Sequence, residues 1–239
     1  MKKTIVIFSG AGLSAESGVA TFRDSGGLWE QHNIEDVASP EGWRRNKKLV
    51  LEFYAMRFLK QIECLPNPAH YAIAELSKIH NVVNITQNID TLLERAGCDK
   101  VWHLHGRIDF QKCEFHYSID FQDSNDFGCD FKSKIEKPIM VGDVCPKCGG
   151  QLRPDIVWFG EPVDMREKFL YELVHSADIF IGIGTSALVY PAAGLISIFH
   201  RTAEKYFIDP NPNYEVLSGF HVITGKASEE LPLLIKKIS

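Results

Sequence analysis

The apolar run Thr4-Ile5-Val6-Ile7-Phe8 breaks at once into Ser9-Gly10-Ala11-Gly12-Leu13-Ser14-Ala15-Glu16-Ser17-Gly18. That order predicts a buried strand, a glycine-rich turn and then a helix. It constrains the fold more than any other stretch, because a strand–turn–helix opening belongs to a wound α/β sheet. Glycine permits positive φ and close backbone approach, and bare N–H groups at such a turn suit a pyrophosphate. Read as G-x-G-x-x-G/A, the residues Gly10, Gly12 and Ala15 fit a dinucleotide fingerprint. A tight turn with no ligand fits the same residues.

Further short apolar runs repeat the theme. Strands are expected at Thr4–Ser9, Val82–Thr86, Val101–Leu104, Ile179–Gly184, Lys205–Ile208 and His221–Thr224. Helices are expected at Asn46–Glu63, Pro68–His80, Asp90–Ala96, Arg166–His175, Ala192–His200 and Ser228–Lys237, with Asn67 capping Pro68. Strands without polar alternation are covered on both faces, so the expectation is a Rossmann-like, doubly wound parallel sheet. Two interruptions stand out. One is a helical insert over about 24–63; the other is a polar, turn-rich module over 107–153, leaving 1–106 and 154–239 as the nucleotide-binding domain. A dehydrogenase of this class needs an acidic residue about 20 positions past the glycines, at the end of a second strand. Glu30, Glu35 and Asp36 lie near that distance, but Leu28 to Ser39 holds no apolar strand to present them.

With 239 residues, 45% of them hydrophobic, the chain can bury one large core. A net charge of −5 argues against a strong nucleic-acid binder, and no apolar run approaches the ~20 residues of a membrane span. Met1-Lys2-Lys3 and the run after it imitate a signal peptide, but the run stops at Ser9. The expectation is an intracellular, cytoplasmic protein.

Four of the six cysteines crowd into the polar module, which favours a metal over disulfides. Cys113-x2-His116 and Cys145-x2-Cys148, the latter followed by Gly149-Gly150, make a three-Cys, one-His zinc set. Cys129 is the rival fourth ligand, and free thiols without metal are the alternative. His105 precedes Gly106 at a strand end, and His103 lies two residues earlier on the same strand face. Either is a structural histidine or a base working near neutral pH. Gln87-Asn88-Ile89-Asp90 falls where a strand gives way to a helix; Asp90 is either a helix cap or a ligand contact. Tyr54 and Arg57 are i,i+3 on a predicted helix, an ordinary surface pair or a fork for a carboxylate.

Gly10 to Trp29 resembles the opening motif of the sirtuins, the NAD-dependent protein lysine deacylases, except that Ala20 replaces the usual proline. Thr86-Gln87-Asn88-Ile89-Asp90, His103-Leu104-His105-Gly106, Leu152 through Glu161 and Gly182-Ile183-Gly184-Thr185-Ser186 follow in the family's order. The resemblance covers nearly the whole chain. It implies NAD as cofactor, held by Gly10, Ala11, Gly12, Ser14, Ala15, Glu16, Thr21, Phe22, Arg23, Trp29, Gln87, Asn88, Ile89, Asp90, Gly184, Thr185, Ser186, Asp209, Asn211 and Ala227. Ser186 and Asn211 would complete the ribose and adenine contacts, and Asp90 would hold the carboxamide side of the nicotinamide pocket. His105 would be the catalytic base, deprotonating a ribose hydroxyl after the acyl-lysine oxygen displaces nicotinamide. Val157-Trp158-Phe159-Gly160-Glu161 would pair edge-on, as a strand, with an extended acyl-lysine peptide. Tyr54 and Arg57, with the small residue Ala38, resemble the class III sirtuins that remove malonyl and succinyl groups. Plain deacetylation and mono-ADP-ribosyl transfer are the alternative activities, and a catalytically silent NAD-sensing module is the alternative outside the enzymes.

Overall fold

A computed structural model describes residues 2–20, 28–29, 32–116, 128–185, 194–195, 198–199 and 203–238. Its first strand, β1 (Thr4–Ser9), is central. On one side it pairs in parallel with β4 (Asn81–Thr86), which pairs with β5 (Val101–His103). On the other it pairs with β9 (Ile179–Ile183), followed by β10 (Glu204–Asp209) and β11 (His221–Thr224), all parallel. All six predicted strands are present, in the order β11-β10-β9-β1-β4-β5.

The pleat of β1 divides its apolar residues between two cores. Ile5 and Ile7 join Ile73 and Leu76 of helix α4 (Pro68–Ile79) and Leu231 and Leu234 of helix α7 (Ala227–Ile238). Val6 and Phe8 face the other way, onto Leu170 and Leu173 of α6 (Glu167–Ser176) and onto Phe180 and Phe199. Both faces are therefore covered, which is why the strands carry no polar alternation. Asn67 caps α4 as read, with Pro68 in the first turn; the reciprocal bond comes from His70.

Departures are local. The glycine turn leads into two 3-10 turns, Ala11–Leu13 and Ala15–Ser17, not an α-helix. The expected helix Ala192–His200 lies largely outside the described residues. In the first insert, β2 (Leu28–Trp29) pairs antiparallel with β3 (His32–Asn33), separate from the parallel sheet. Helices α1 (Ile34–Val37), α2 (Pro40–Arg45) and α3 (Lys47–Glu63) follow. Glu35 and Asp36 thus lie in α1 and not at the end of a parallel strand, and Glu30 lies outside the described residues.

The polar module carries an antiparallel sheet of β6 (Gly106–Cys113), β7 (Lys132–Lys134) and β8 (Leu152–Ile156), ordered β7-β6-β8. The expected strand at Val157–Glu161 is not there: β8 ends at Ile156, and Phe159–Gly160 form a turn with Gly160 at φ +90°. The small sheet shares a third core with the helical insert, where Phe53, Tyr54 and Phe58 of α3 meet Ile108, Leu152 and Ile156. Among the described residues no helix is long and apolar enough to cross a membrane.

Candidate active site

The chain winds from β1 to β4 and β5 in one direction, then crosses to β9, β10 and β11 in the other. Ligands of such sheets bind where the winding reverses, beyond the carboxyl ends of the strands. The glycines of the first turn lie at that point, but they do something other than expected. Gly10 N–H donates to Ile183 O and Gly12 N–H to Gly184 O, both at 2.9 Å. A Cβ on Gly12 would lie 2.5 Å from Gly184 Cα, and Gly184 itself has φ +57°. The glycines here buy backbone-to-backbone contact between two loops, and these two N–H groups are not offered to a pyrophosphate.

The β4 end forms the hub. Gln87 N–H donates to Ser9 O, and Gln87 Nε2 to Thr185 Oγ1 at 2.8 Å, tying the ends of β1, β4 and β9 together. Asn88 Nδ2 donates to Gly10 O at 3.1 Å and to Ser14 Oγ at 3.2 Å. Ile89 O accepts Ile108 N–H, linking the hub to β6. Asp90 Oδ1 accepts Leu92 N–H at 3.0 Å from one residue ahead of Thr91, which is the N-cap of the next helix, α5 (Leu92–Ala96). Its other oxygen takes the Ser14 hydroxyl at 2.9 Å. Burial pushes the Asp90 carboxyl up, against the pull of these two bonds.

His70 completes this network, and the sequence reading passed it over. Asn67 N–H donates to His70 Nδ1 at 3.2 Å, so the proton sits on Nε2, which faces Ser14 Oγ at 3.5 Å. Ser14 therefore accepts from His70 and Asn88 and donates to Asp90, using its full capacity. Burial lowers His70 to about 4, which keeps it neutral. Its signal was present as Asn67-Pro68-Ala69-His70, an N-cap with a polar residue at the third helical position.

The two strand-end histidines separate cleanly. His103 places Nδ1 2.8 Å from Asn88 O and Nε2 2.8 Å from Glu94 Oε1. Burial opposes ionisation of Glu94, but His103 and Arg107 outweigh it and hold the carboxyl low. Both His103 nitrogens are thus engaged by neighbouring oxygens. His105 is engaged on one side only: Nδ1–H donates to Gln87 O at 3.0 Å, leaving Nε2 as the basic nitrogen. Burial lowers its pKa, partly offset by the Gln87 bond, which keeps the ring neutral. Gly106 beside it has φ +77°, and a Cβ there would lie 1.9 Å from Asp155 O.

Other predicted contacts are spread around this centre. Glu16 Oε2 accepts Ser228 N–H in the first turn of α7, next to Ala227. Asp209 is buried and its Oδ1 holds Asn211 N–H at 2.8 Å. Ala11 and Ala15 open the two 3-10 turns. Thr21, Phe22, Arg23 and Ser186 lie outside the described residues, as does the side chain of Trp29.

In the small sheet, Cys113, Cys129, Cys145 and Cys148 gather with all four sulfurs within 4.8 Å of one another. Neighbouring pairs stand at 3.3 and 3.6 Å, close to the ~3.8 Å edge of a tetrahedron with Zn–S bonds of ~2.3 Å. Four thiolates fit zinc and leave no open position. Cys129 and not His116 completes the gathered set, and His116 Nδ1–H instead donates to Cys129 O at 2.9 Å. A 28-residue gap between the x2 pairs hid this, because folding, not spacing, brings Cys129 in.

Tyr54 is 2% exposed, so the ordinary surface pair is excluded. Its hydroxyl accepts Trp158 Nε1–H at 3.1 Å, and Ala38 O accepts Phe159 N–H at 3.0 Å. Tyr54, Ala38 and Trp158 thus meet in one place, and the Arg57 guanidinium lies over the Phe53 ring at 5.6 Å. Val157 N–H donates to His105 O, joining this region to the histidine.

Residues 10–191 match the Sir2 family. The chain belongs to that family. A relative named NAD-dependent protein deacylase, from Helicobacter pylori (strain ATCC 700392 / 26695), is 48% identical over 208 residues, covering 87% of this chain and 85% of its own. A protein of the same name from Bacteroides thetaiotaomicron is 44% identical over 95% of this chain and 94% of its own. The solved structure of a Sir2 homologue with NAD superposes with a TM-score of 0.84 at 34% identity, over 99% of this chain and 89% of that one.

Proposed function

We propose that this chain is an NAD-dependent protein deacylase acting on acyl-lysine, with a preference for acyl groups that end in a carboxylate. The observation that carries the first part is the contrast between His105 and His103. Of the two, His105 has the nitrogen that faces no acceptor, on a neutral ring joined through Gln87 and Val157 to the hub and to the peptide-side loop. Relatives named as deacylases and a Sir2 homologue solved with NAD support the same reading.

In this reading NAD supplies a ribose carbon with a good leaving group, nicotinamide. The chain's residues orient and exchange protons around it. Asn88, Ile89 and Asp90 line the nicotinamide side, Gly184, Thr185 and Ser186 the ribose side, and Asp209 and Asn211 the adenosine end. His105 Nε2 takes the proton of a ribose hydroxyl. The cofactor unit would be 1–106 with 154–239, and the 107–153 segment, whose sheet β8 (Leu152–Ile156) completes across that boundary, would hold structural zinc. The peptide lies along 157–161.

The acyl preference rests on Tyr54, Arg57 and Ala38. A carboxylate in an apolar pocket is costly without a partner. Arg57 supplies the charge, Tyr54 a hydrogen bond and Ala38 the room. One charge-assisted hydrogen bond contributes about 1.5–3 kcal/mol, roughly 10- to 150-fold in selectivity. The test compares matched acetyl, malonyl and succinyl peptides with NAD. Arg57→Met is expected to lower the succinyl-to-acetyl ratio of kcat/KM by about that factor. An unchanged ratio, or a wild type that favours acetyl, would replace this preference with plain deacetylation.

A further inference from the structure

Trp158 is held from every direction. The Arg153 guanidinium lies 3.5 Å from the centre of its ring, and Trp43 packs against it at 5.6 Å. Arg153 is 4% exposed and grips both oxygens of Glu161, at 2.7 and 2.8 Å. Glu161 Oε2 also accepts the backbone N–H of Trp158 at 2.9 Å. Burial opposes ionisation of Glu161, but Arg153 outweighs it and holds the carboxyl below its usual range. Glu161 is thus turned inward onto Arg153 and the Trp158 backbone, and the pair clamps the turn that carries the indole.

The clamped indole has one polar atom, and its donor is aimed at Tyr54 Oη at 3.1 Å. An indole N–H only donates. The phenol oxygen must therefore accept on that side, and its own proton is turned to the other. Burial pushes the Tyr54 phenol up to about 12, so the proton stays in place at any working pH. Without the indole donor, the hydroxyl could rotate, and an acyl carboxylate would have to order it on binding.

We propose that Trp158 is a specificity-positioning residue: its N–H fixes the Tyr54 hydroxyl as a donor toward the acyl terminus, and the Arg153–Glu161 pair fixes Trp158. This rests on the reading of Tyr54 and Arg57 given above. A carboxylate accepts from the pre-aimed hydroxyl, whereas the methyl of an acetyl group gains nothing from it.

The experiment measures kcat and KM with matched succinyl and acetyl peptides for wild type, Trp158→Phe, Tyr54→Phe and the double variant. Trp158→Phe keeps an aromatic ring under Arg153 and removes the donor along with part of the indole's volume, which is why the matched acetyl peptide serves as the internal reference. It is expected to lower the succinyl-to-acetyl kcat/KM ratio about three- to tenfold, as one hydrogen bond allows, through a raised KM for the succinyl peptide. In the Tyr54→Phe background the same change is expected to leave the ratio where it was. A full ratio in Trp158→Phe, or an equal further loss in the double variant, would overturn the proposal while leaving the acyl preference intact. A wild type without that preference would remove the acyl reading and this proposal with it. Should Trp158→Phe fail to fold, Glu161→Gln loosens the same clamp without touching the indole. A lowered ratio is expected there too, and an unchanged one would overturn the proposal.

Discussion

At the scale of single residues, His70 shows how a buried imidazole organises a site it need not touch. It carries no exposed surface, takes the Asn67 N–H on one nitrogen and faces Ser14 with the other. Its proton affinity makes that role measurable. Above pH 6.5 the ring is neutral in both folded and unfolded chains, so it contributes no pH dependence. As pH falls below 6.5 the unfolded chain binds a proton that folded His70 refuses until about pH 4. Stability is therefore lost across that window, by roughly 3–3.5 kcal/mol in all. In His70→Gln the slope of unfolding free energy against pH, between 6.5 and 4, is expected to drop by about one proton. A slope equal to the wild type's, measured by denaturant titration, would contradict the assignment. Sequence legibility at this scale was uneven. Asp90 and His105 stood in motifs, and their partners followed once the strands ended where expected. His70 did not stand out, and Arg153 stood in a motif without a legible role, because what they do depends on groups 56 and 8 residues away.

Among elements, the parallel strands were legible because covering on both faces leaves uninterrupted apolar runs. The small antiparallel sheet was not. Its strands β6 and β8 are mixed in polarity, since one side meets α3 and the other carries Lys112, Arg153 and Asp155. The stretch at residues 157–161 reads as a strand by composition, yet the Arg153–Glu161 pair and Gly160 bend it into a turn. The cysteine set was mis-assigned for a related reason: β7 returns the chain after Cys129 beside β6, a contact that spacing does not encode. Cys129→Ser is expected to lose its one equivalent of zinc and His116→Ala to retain it, by elemental analysis of the purified protein. Chelation is expected to disorder the small sheet, which owns no separate core. Zinc retained in Cys129→Ser and lost in His116→Ala would reverse the ligand assignment.

For the whole molecule, the account joins three pieces through one hub. The reversal of winding puts the ends of β1 and β9 side by side, and Gln87 to Asp90 at the end of β4 reach both. Ile108 ties the hub to the cysteine-bearing sheet, and His105 stands between them with one nitrogen committed. The direct test gives the protein NAD and an acylated peptide, weighs every product, and repeats the run with His105→Ala and with NAD omitted. Wild type is expected to yield deacylated peptide, nicotinamide and acyl-ADP-ribose in equal amounts, and nothing without NAD. His105→Ala is expected to bind NAD with deacylation reduced ~10²-fold or more. Deacylation without NAD, or a His105→Ala variant turning over at the wild-type rate, would contradict the account.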